Sequence, residues 1–261
     1  MDNSQARTAT EHPRPIGPEI GDAFGMLLME CWECNGEPNR VLEFVERDDG
    51  YLAAGDASRY FAPSEAWGTL DRWACAQAHG RILDIGSGAG RHALYLQNVG
   101  HEVVALDVSP LAGEVCRRRG MEQVVTGTVP NLLVPEVKPF TSFLLLGNNL
   151  GLLRDTQNAP HLLQTLAELA TPNAVIIGQG TDPYRTESPL HIAYHQRNRV
   201  LGRMPGQIRM RVRHENITTD WFDYLFTSIE ELRGLVAPSA WRLEHYETEG
   251  ASYVAVLRLS D

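Results

Sequence analysis

The sequence has 261 residues, 43% of them apolar, and a formal net charge of -10 at pH 7. This length and apolar content exclude wholesale disorder and predict one α/β domain with additions. The acidic balance argues against a nucleic-acid partner, because such binders neutralise phosphates with an excess of basic side chains.

The chain also lacks signals for secretion or a membrane. Its first stretch, Met1–Pro18, is polar and contains three prolines, and no apolar run approaches the roughly 20 residues that span a membrane. We therefore expect a cytoplasmic protein with a loose start and no membrane partner. The Cys31 and Cys34 pair lacks the further ligands of a zinc site, which predicts ordinary thiols and no metal, with a redox pair as the alternative.

Residues from about 20 to 76 are predicted to be mostly helical. Apolar residues between Ala23 and Cys31 form one helical stripe. The segment Tyr60–Pro63 interrupts the pattern, and Ser64 is placed to begin a second helix. We expect residues 1–76 to comprise the loose start and a helical cap over the active site.

From Gly80 short apolar strands alternate with helices. Ser109 followed by Pro110 is typical of a helix start, and Gly120 of a helix end. This alternation predicts a parallel sheet with right-handed crossovers. The predicted strands are 81–85, 102–106, 123–125, 143–146 and 174–178, and the predicted helices are 90–98, 110–119 and 160–170.

The last third of the chain has a different pattern. Apolar and basic residues alternate over 207–213, which predicts a half-buried strand, and 221–226 is predicted to pair with it. A capping box at 228–231 opens a further helix. The segments 241–246 and 253–259 are predicted to form a final hairpin.

The segment Asp84–Gly90 joins a strand to a helix through three glycines. Glycine tolerates positive φ and allows a ligand to approach the backbone, and ligands of open α/β sheets bind beyond the carboxyl ends of the strands. A dinucleotide fingerprint starting at Gly86 would need glycine where the chain has Arg91. A glycine-rich turn without a ligand and a nicotinamide-dependent enzyme are the alternatives.

An acid followed by this triple-glycine turn resembles motif I of class I S-adenosylmethionine-dependent methyltransferases. The resemblance implies an α/β, doubly wound, seven-stranded and mostly parallel sheet with strand order 3-2-1-4-5-7-6 and an antiparallel seventh strand. We expect this Rossmann-like core in residues 77–261, with the helical cap before it and an inserted β-hairpin on the substrate side at about 181–226.

The resemblance also implies S-adenosylmethionine as cofactor and S-adenosylhomocysteine as product. Asp84 falls at the position for the cofactor's ammonium, Gly86 at the one for its carboxylate, and Asp107 at the one for both ribose hydroxyls. The segment after the third strand has no carboxylate for the adenine, so Thr128 or backbone groups are expected there. The predicted cofactor-binding residues are Asp84, Gly86, Ser87, Gly88, Gly90, Asp107, Val108, Thr128, Gly147 and Asn148.

Two regions compete as the acceptor pocket. One is the cap around Tyr60 and Phe61, and the other is the insertion, where helical spacing places His191, Tyr194 and His195 on one face. Histidine titrates near neutrality and can act as a base. The predicted catalytic residues are His191, His195 and Tyr60, with core packing and solvated histidines as the alternatives.

Seven arginines lie between residues 185 and 213, against one acid, Glu187. Arginine binds carboxylate or phosphate through paired hydrogen bonds, so this local excess of positive charge suggests an anionic acceptor. Ion pairs on a solvated strand face are the alternative. The predicted substrate-binding residues are Tyr60, Phe61, Asn149, Tyr184, Tyr194, Arg197, Arg209 and Arg211.

Together these patterns predict a methyltransferase that modifies an oxygen or nitrogen of a small molecule, as in natural-product metabolism. A peptide or protein acceptor is the alternative within the same chemistry. A cofactor-binding partner subunit without catalysis is the alternative from another class. The arginine-faced hairpin is also a candidate interface of a homodimer.

Overall fold

The computed structural model describes residues 17–260, so the loose start predicted for Met1–Pro18 lies almost entirely outside the described residues. The strands are β1 (Glu19–Ile20), β2 (Leu42–Arg47), β3 (Leu52–Asp56), β4 (Arg81–Ile85), β5 (Glu102–Asp107), β6 (Gln123–Thr126), β7 (Phe140–Leu145), β8 (Ala170–Thr181), β9 (Gln207–His214), β10 (Ile217–Thr218), β11 (Phe222–Leu225), β12 (Trp241–Glu249) and β13 (Ser252–Leu259). The helices are α1 (Ala23–Glu33), α2 (Thr69–Gln77), α3 (Arg91–Asn98), α4 (Pro110–Arg118), α5 (Ala159–Glu168), α6 (Pro189–Val200) and α7 (Ile229–Val236).

Seven strands form the large sheet in the order β6-β5-β4-β7-β8-β13-β12. Strands β4 to β8 pair in parallel, whereas β13 runs antiparallel to β8 and to β12. Counted along the chain within this sheet, the order is 3-2-1-4-5-7-6. The predicted strand order and the antiparallel seventh strand are confirmed. Strands β7 and β8 begin earlier than predicted, and β8 extends to Thr181.

Both faces of the large sheet are buried, as expected for parallel strands between helices. Leu83 and Phe143 point to the face that α5 and α7 cover, and their neighbours Ile82 and Leu144 point to the face that α2 and α3 cover. The predicted helix start is present: the Ser109 hydroxyl accepts from the Ala112 N–H at 2.9 Å. Within residues 17–260, none of the helices has the length and hydropathy to cross a membrane.

A second sheet of six strands lies over the carboxyl edge of the first. Its central strand is β9, which pairs with β2 on one edge and with β10 and β11 on the other, while β3 pairs with β2 and β1 with β10. The predicted pairing of 221–226 with 207–213 is confirmed, with Tyr224 opposite Ile208.

The helical prediction for residues 20–76 is wrong for 42–56, which form the β2–β3 hairpin. Helices α1 and α2 are present on either side of it. The alternation in β2 escaped detection because two of its inward positions carry charge. Glu43 and Arg47 are buried and Val45 between them is half-buried, so the inner face of the strand does not have the apolar pattern of an ordinary half-buried strand.

Side chains of the second sheet divide between two faces. Val45 lies opposite Val212, and Val212 packs against Leu27 and Leu28 of α1, which defines the inner face. Glu46 lies opposite Arg211 and therefore points to the outer face. Glu43 shares the inner face with Val45, because residues two apart on a strand point the same way.

Candidate active site

The segment Asp84–Gly90, which we call the glycine turn, lies at the carboxyl edge of the large sheet. Gly86, Gly88 and Gly90 have φ of 70°, 54° and 77°, in the left-handed region that favours glycine. The N–H groups of Gly86 and Ser87 donate to the Leu106 carbonyl at 2.8 and 3.1 Å. A Cβ on Gly86 would lie 2.4 Å from the Asn149 side-chain nitrogen. The turn is therefore fixed between β4, β5 and the segment after β7.

Two buried carboxylates flank this turn. Asp107 accepts from the Gly88 N–H at 2.8 Å and from the Ser109 N–H at 2.9 Å. Asp84 is 3% exposed, and its Oδ2 atom has no hydrogen-bond partner among the described residues. Burial, together with the charge of Asp107, raises the pKa of Asp84 to about 7. A buried carboxylate oxygen without a donor suits a cationic ligand group such as an ammonium.

The remaining predicted cofactor residues lie at the same edge. Val108 follows Asp107 and is exposed. The Thr128 hydroxyl donates to the Asn131 side chain at 2.8 Å. The Gly147 N–H donates to the Gln179 side chain at 2.8 Å, and the Asn148 side chain accepts from Thr181 at 2.8 Å. Their role in holding a cofactor stays a prediction.

Helix α1 covers the glycine turn and is fastened to α4. Phe24 lies 3.6 Å from where a Cβ on Gly88 would be. The Asp22 carboxylate accepts from the Gly25 N–H at 2.9 Å and thereby caps α1, and it also accepts from the Ser109 hydroxyl at 2.8 Å and the Leu111 N–H at 3.1 Å. No local pattern predicts this contact, because Asp22 and Ser109 are 87 residues apart in the chain.

Tyr60 belongs to a partly buried polar cluster at the edge of this cap. Its hydroxyl donates to the Glu43 carboxylate at 2.9 Å and accepts from the Arg59 guanidinium at 3.1 Å, while Arg59 also pairs with Glu43. The Tyr60 ring packs edge-on against Phe24, with centroids 5.4 Å apart. Burial, and after it the Glu43 charge, raises the pKa of Tyr60 far above its ordinary value, so Tyr60 is protonated at neutral pH.

Asn149 and Tyr224 form the other side of the same region. The Asn149 amide donates to the Ile85 and Gly86 carbonyls, each at 3.0 Å, and its side-chain oxygen accepts from the Tyr224 hydroxyl at 3.2 Å. The Tyr224 ring occupies the space that a side chain at Gly151 would need. Burial, followed by the charges of Tyr60 and Glu43, raises the pKa of Tyr224 far above its ordinary value.

Five residues therefore lie near the glycine turn and contact it or one another: Phe24, Glu43, Tyr60, Asn149 and Tyr224. We call these five residues the acceptor ring. Tyr60 and Asn149 were predicted as site residues. Phe24, Glu43 and Tyr224 were not. The pairing of 221–226 with 207–213 was predicted, but it did not indicate that Tyr224 would reach the glycine turn.

His191 and His195 lie in a second cluster, on α6. His191 Nδ1 is 3.0 Å from the Arg47 guanidinium, and its ring packs edge-on against Tyr51. Tyr194, on the same helix, donates to Asp48 at 2.6 Å. Burial and the Arg47 charge lower the pKa of His191. Burial and the Arg199 charge lower the pKa of His195. The catalytic role of both histidines stays a prediction.

The other predicted acceptor residues have partners of their own. Arg211 donates to Glu46 at 3.0 Å on the outer face of the second sheet. Arg197 lies 3.4 Å from Asp48. Further contacts are Tyr184 with Glu231 at 2.5 Å, Phe61 beneath the Arg119 guanidinium at 4.9 Å, and exposed Arg209 opposite Asp223 in the strand register.

The cysteines predicted as ordinary thiols are free. Cys31 is fully buried in the cluster around Leu27 and Leu28, and Cys34 is half-buried at the end of α1. Burial raises the pKa of Cys31 to about 11. This thiol is therefore protonated at neutral pH.

The strand order of the large sheet and the glycine turn at its carboxyl edge match the fold that the resemblance to class I methyltransferases implies. A family model described as a methyltransferase domain matches residues 83–143, which include the glycine turn and Asp107. No curated protein matches the chain in sequence.

Solved structures with this fold cover most of the chain. A methyltransferase from Bacteroides fragilis, in complex with S-adenosyl-L-homocysteine, is 25% identical, with a TM-score of 0.77 over 92% of this chain and 95% of the other. The CcbJ methyltransferase from Streptomyces caelestis is 16% identical, with a TM-score of 0.55 over 77% and 94%. A methyltransferase from Methanosarcina mazei is 14% identical, with a TM-score of 0.54 over 69% and 92%.

These comparisons confirm the resemblance to class I S-adenosylmethionine-dependent methyltransferases. The prediction of an enzyme of this class is confirmed with it. The last two structures show only that their fold is shared with this chain.

Proposed function

We propose that this protein transfers the methyl group of S-adenosylmethionine to an oxygen or nitrogen of a small molecule bound inside the acceptor ring. The observation that carries the proposal is the buried Asp84 oxygen without a donor, beside a turn of three glycines in the left-handed conformation. The cofactor prediction is confirmed, since the Bacteroides fragilis methyltransferase structure contains S-adenosylhomocysteine.

The predicted residues fit this cofactor. Asp84 would pair with its ammonium, and Asp107 would accept from the ribose hydroxyls in addition to its two backbone donors. The N–H groups of Gly86, Ser87 and Gly88 already donate within the protein, so the binding of the carboxylate at Gly86 stays a prediction. Val108, Thr128, Gly147 and Asn148 lie at the same sheet edge, and their binding of the remaining parts of the molecule stays a prediction. The sulfonium supplies an activated methyl group, so this chain's task is to orient a nucleophile in line with the breaking bond.

The burial of two residues of the acceptor ring supports a small acceptor. Glu43 is 5% exposed and Tyr224 is 7% exposed, which leaves little access for a folded protein surface. A single flexible peptide side chain is the alternative acceptor. Arg211 was predicted to bind an anionic acceptor, but it pairs with Glu46 on the sheet face opposite Glu43. An anionic acceptor is therefore not part of the proposal. A place in natural-product metabolism and a homodimer stay predictions.

The test is calorimetric titration with S-adenosylhomocysteine, combined with release of that product from S-adenosylmethionine across a panel of amines, alcohols, carboxylic acids and short peptides. Binding together with turnover of a small molecule supports the proposal. Turnover of peptides alone favours the peptide alternative. Binding without turnover of any acceptor favours a non-catalytic partner subunit, and absence of binding overturns the proposal.

A further inference from the structure

The single proton of the Tyr224 hydroxyl is already donated in a hydrogen bond to Asn149. The Asn149 amide nitrogen donates to two backbone carbonyls, Ile85 and Gly86, which fixes the side-chain oxygen on the other branch. An amide oxygen only accepts hydrogen bonds, so Tyr224 must be the donor in the 3.2 Å contact between them. The Tyr224 oxygen is left with lone pairs alone.

The Tyr60 hydroxyl is committed in the same way. Glu43 is ion-paired with Arg59, and a carboxylate only accepts hydrogen bonds. The Tyr60 proton therefore points to Glu43, at 2.9 Å. Arg59 donates to the Tyr60 oxygen at 3.1 Å, which occupies one lone pair and leaves the other.

Both tyrosine side chains lie near the glycine turn, where the cofactor is proposed to bind. Tyr224 reaches the glycine turn through Asn149, which contacts Gly86. Tyr60 packs on Phe24, which covers Gly88. The influence of Tyr60 and Glu43 on the pKa of Tyr224 agrees with this proximity. A ligand group in the acceptor ring thus meets hydroxyl oxygens that accept hydrogen bonds and have no proton to give.

We propose that the methyl acceptor is an amine, held by N–H donation to the Tyr60 and Tyr224 oxygens, so that the enzyme is an N-methyltransferase. This inference rests on the proposed function. A neutral primary amine offers two N–H donors and keeps its lone pair for the methyl group. An alcohol has one hydrogen-bond donor for the two tyrosine oxygens. A carboxylate or phosphate has no donor, so its lone pairs would face the lone pairs of both tyrosine oxygens.

The chemical step balances without a further reactant. The amine lone pair forms the N–C bond while the C–S bond of the sulfonium breaks, and its electron pair stays on sulfur, giving the neutral thioether. The product nitrogen carries the positive charge as an ammonium, and its extra proton passes to water after release. Because the attacking nitrogen is already neutral, the step needs no protein base.

The first experiment uses sinefungin, a cofactor analogue with a protonated amine where S-adenosylmethionine carries its methyl sulfonium. Calorimetry gives the Kd of sinefungin and of S-adenosylhomocysteine for the wild type, Tyr60→Phe, Tyr224→Phe and Glu43→Gln. We expect each Phe variant to weaken sinefungin about tenfold, as for the loss of a hydrogen bond to a charged group. Glu43→Gln should act similarly, because its amide can donate to Tyr60 and turn that hydroxyl into a donor.

Binding of S-adenosylhomocysteine serves as the internal control and should stay within about twofold in all variants. Tyr246→Phe, at an exposed tyrosine on β12, should change neither Kd. If the variants leave the ratio of the two Kd values unchanged, or weaken both ligands equally, the hydroxyls do not bind an amine and the proposal is wrong. If the wild type binds neither ligand, the proposed function itself has failed.

A second experiment measures release of S-adenosylhomocysteine with matched pairs of acceptors. The two members of a pair have the same ring system, and one carries an amine where the other carries a hydroxyl group. The amine of each pair should turn over faster, and Tyr60→Phe or Tyr224→Phe should raise its KM. Preferential turnover of the hydroxyl members across the panel would overturn the amine assignment while leaving the methyltransferase proposal intact.

Discussion

The cofactor side and the acceptor side of this molecule are encoded in different ways. The cofactor side consists of a contiguous turn, Asp84–Gly90, and one carboxylate at the end of the next strand, Asp107. The acceptor ring draws its residues from α1, from β2 and the turn after β3, from the segment after β7, and from β11. The comparison indicates that the acceptor side can change through distant segments while the cofactor side is held by local backbone geometry.

The largest effect is expected from a change on the cofactor side. Asp107→Ala removes the acceptor of the Gly88 and Ser109 N–H groups and the proposed ribose partner. We expect S-adenosylhomocysteine to bind on the order of 100-fold more weakly, since more than one hydrogen bond to a charged group is lost. Calorimetry measures this, with Glu114→Ala on the exposed side of α4 as control. An unchanged Kd would contradict the placement of the ribose.

The next effect is a pH dependence that should be confined to the cofactor side. The pKa of Asp84 is raised to about 7, and the proposed ammonium partner favours the ionised carboxylate. Affinity for S-adenosylhomocysteine should therefore rise with pH through about 7 and level off above it, and be about tenfold weaker at pH 6 than at pH 8. Titrations at several pH values measure the effect, which Asp84→Asn should abolish. A pH-independent wild type would separate Asp84 from the ligand.

A change in the acceptor ring should spare the cofactor. Asn149→Ala frees the Ile85 and Gly86 carbonyls and releases Tyr224. We expect kcat/KM for the acceptor to fall about fivefold, with a smaller change in S-adenosylhomocysteine affinity. Steady-state kinetics beside calorimetry distinguishes the two. Equal loss in both measurements would show that Asn149 serves the turn and not the acceptor.

The last effect is on stability and not on binding, and it is expected where helix α1 is hydrogen-bonded to α4. Asp22→Ala removes the cap of α1 and its bonds to Ser109 and Leu111, which should lower the free energy of unfolding by about 1–2 kcal/mol. Urea denaturation measures it. Asp22→Asn keeps the cap and should lose less. If both variants unfold like the wild type, the contact does not stabilise the cap.

Much of the large sheet was predictable because its signals are local. The apolar runs, the Ser109 cap and the three glycines each specify structure within a few residues, and together they indicate the strand order through the family resemblance. The β2–β3 hairpin was not predictable, because the buried charges Glu43 and Arg47 find their partners only in the folded chain.

The acceptor ring was only partly predictable for a related reason. Tyr60 was identified as an aromatic residue in the cap, but its bond to Glu43 depends on a strand that was expected to be helix. Tyr224 lies 75 residues beyond Asn149 in the chain, and no local pattern relates the two. His191 and His195 were selected for their helical spacing, which gives no information about what that helix face contacts.

The second sheet has a consequence for protein engineering. Strand β9 comes from the insertion after β8 and is flanked by β2 from the cap, so neither segment has a complete set of backbone partners without the other. Transplanting the insertion alone into another methyltransferase would expose an open strand edge, with the attendant risk of aggregation. Exchange of acceptor preference between such enzymes should succeed only when the cap and the insertion are transferred together.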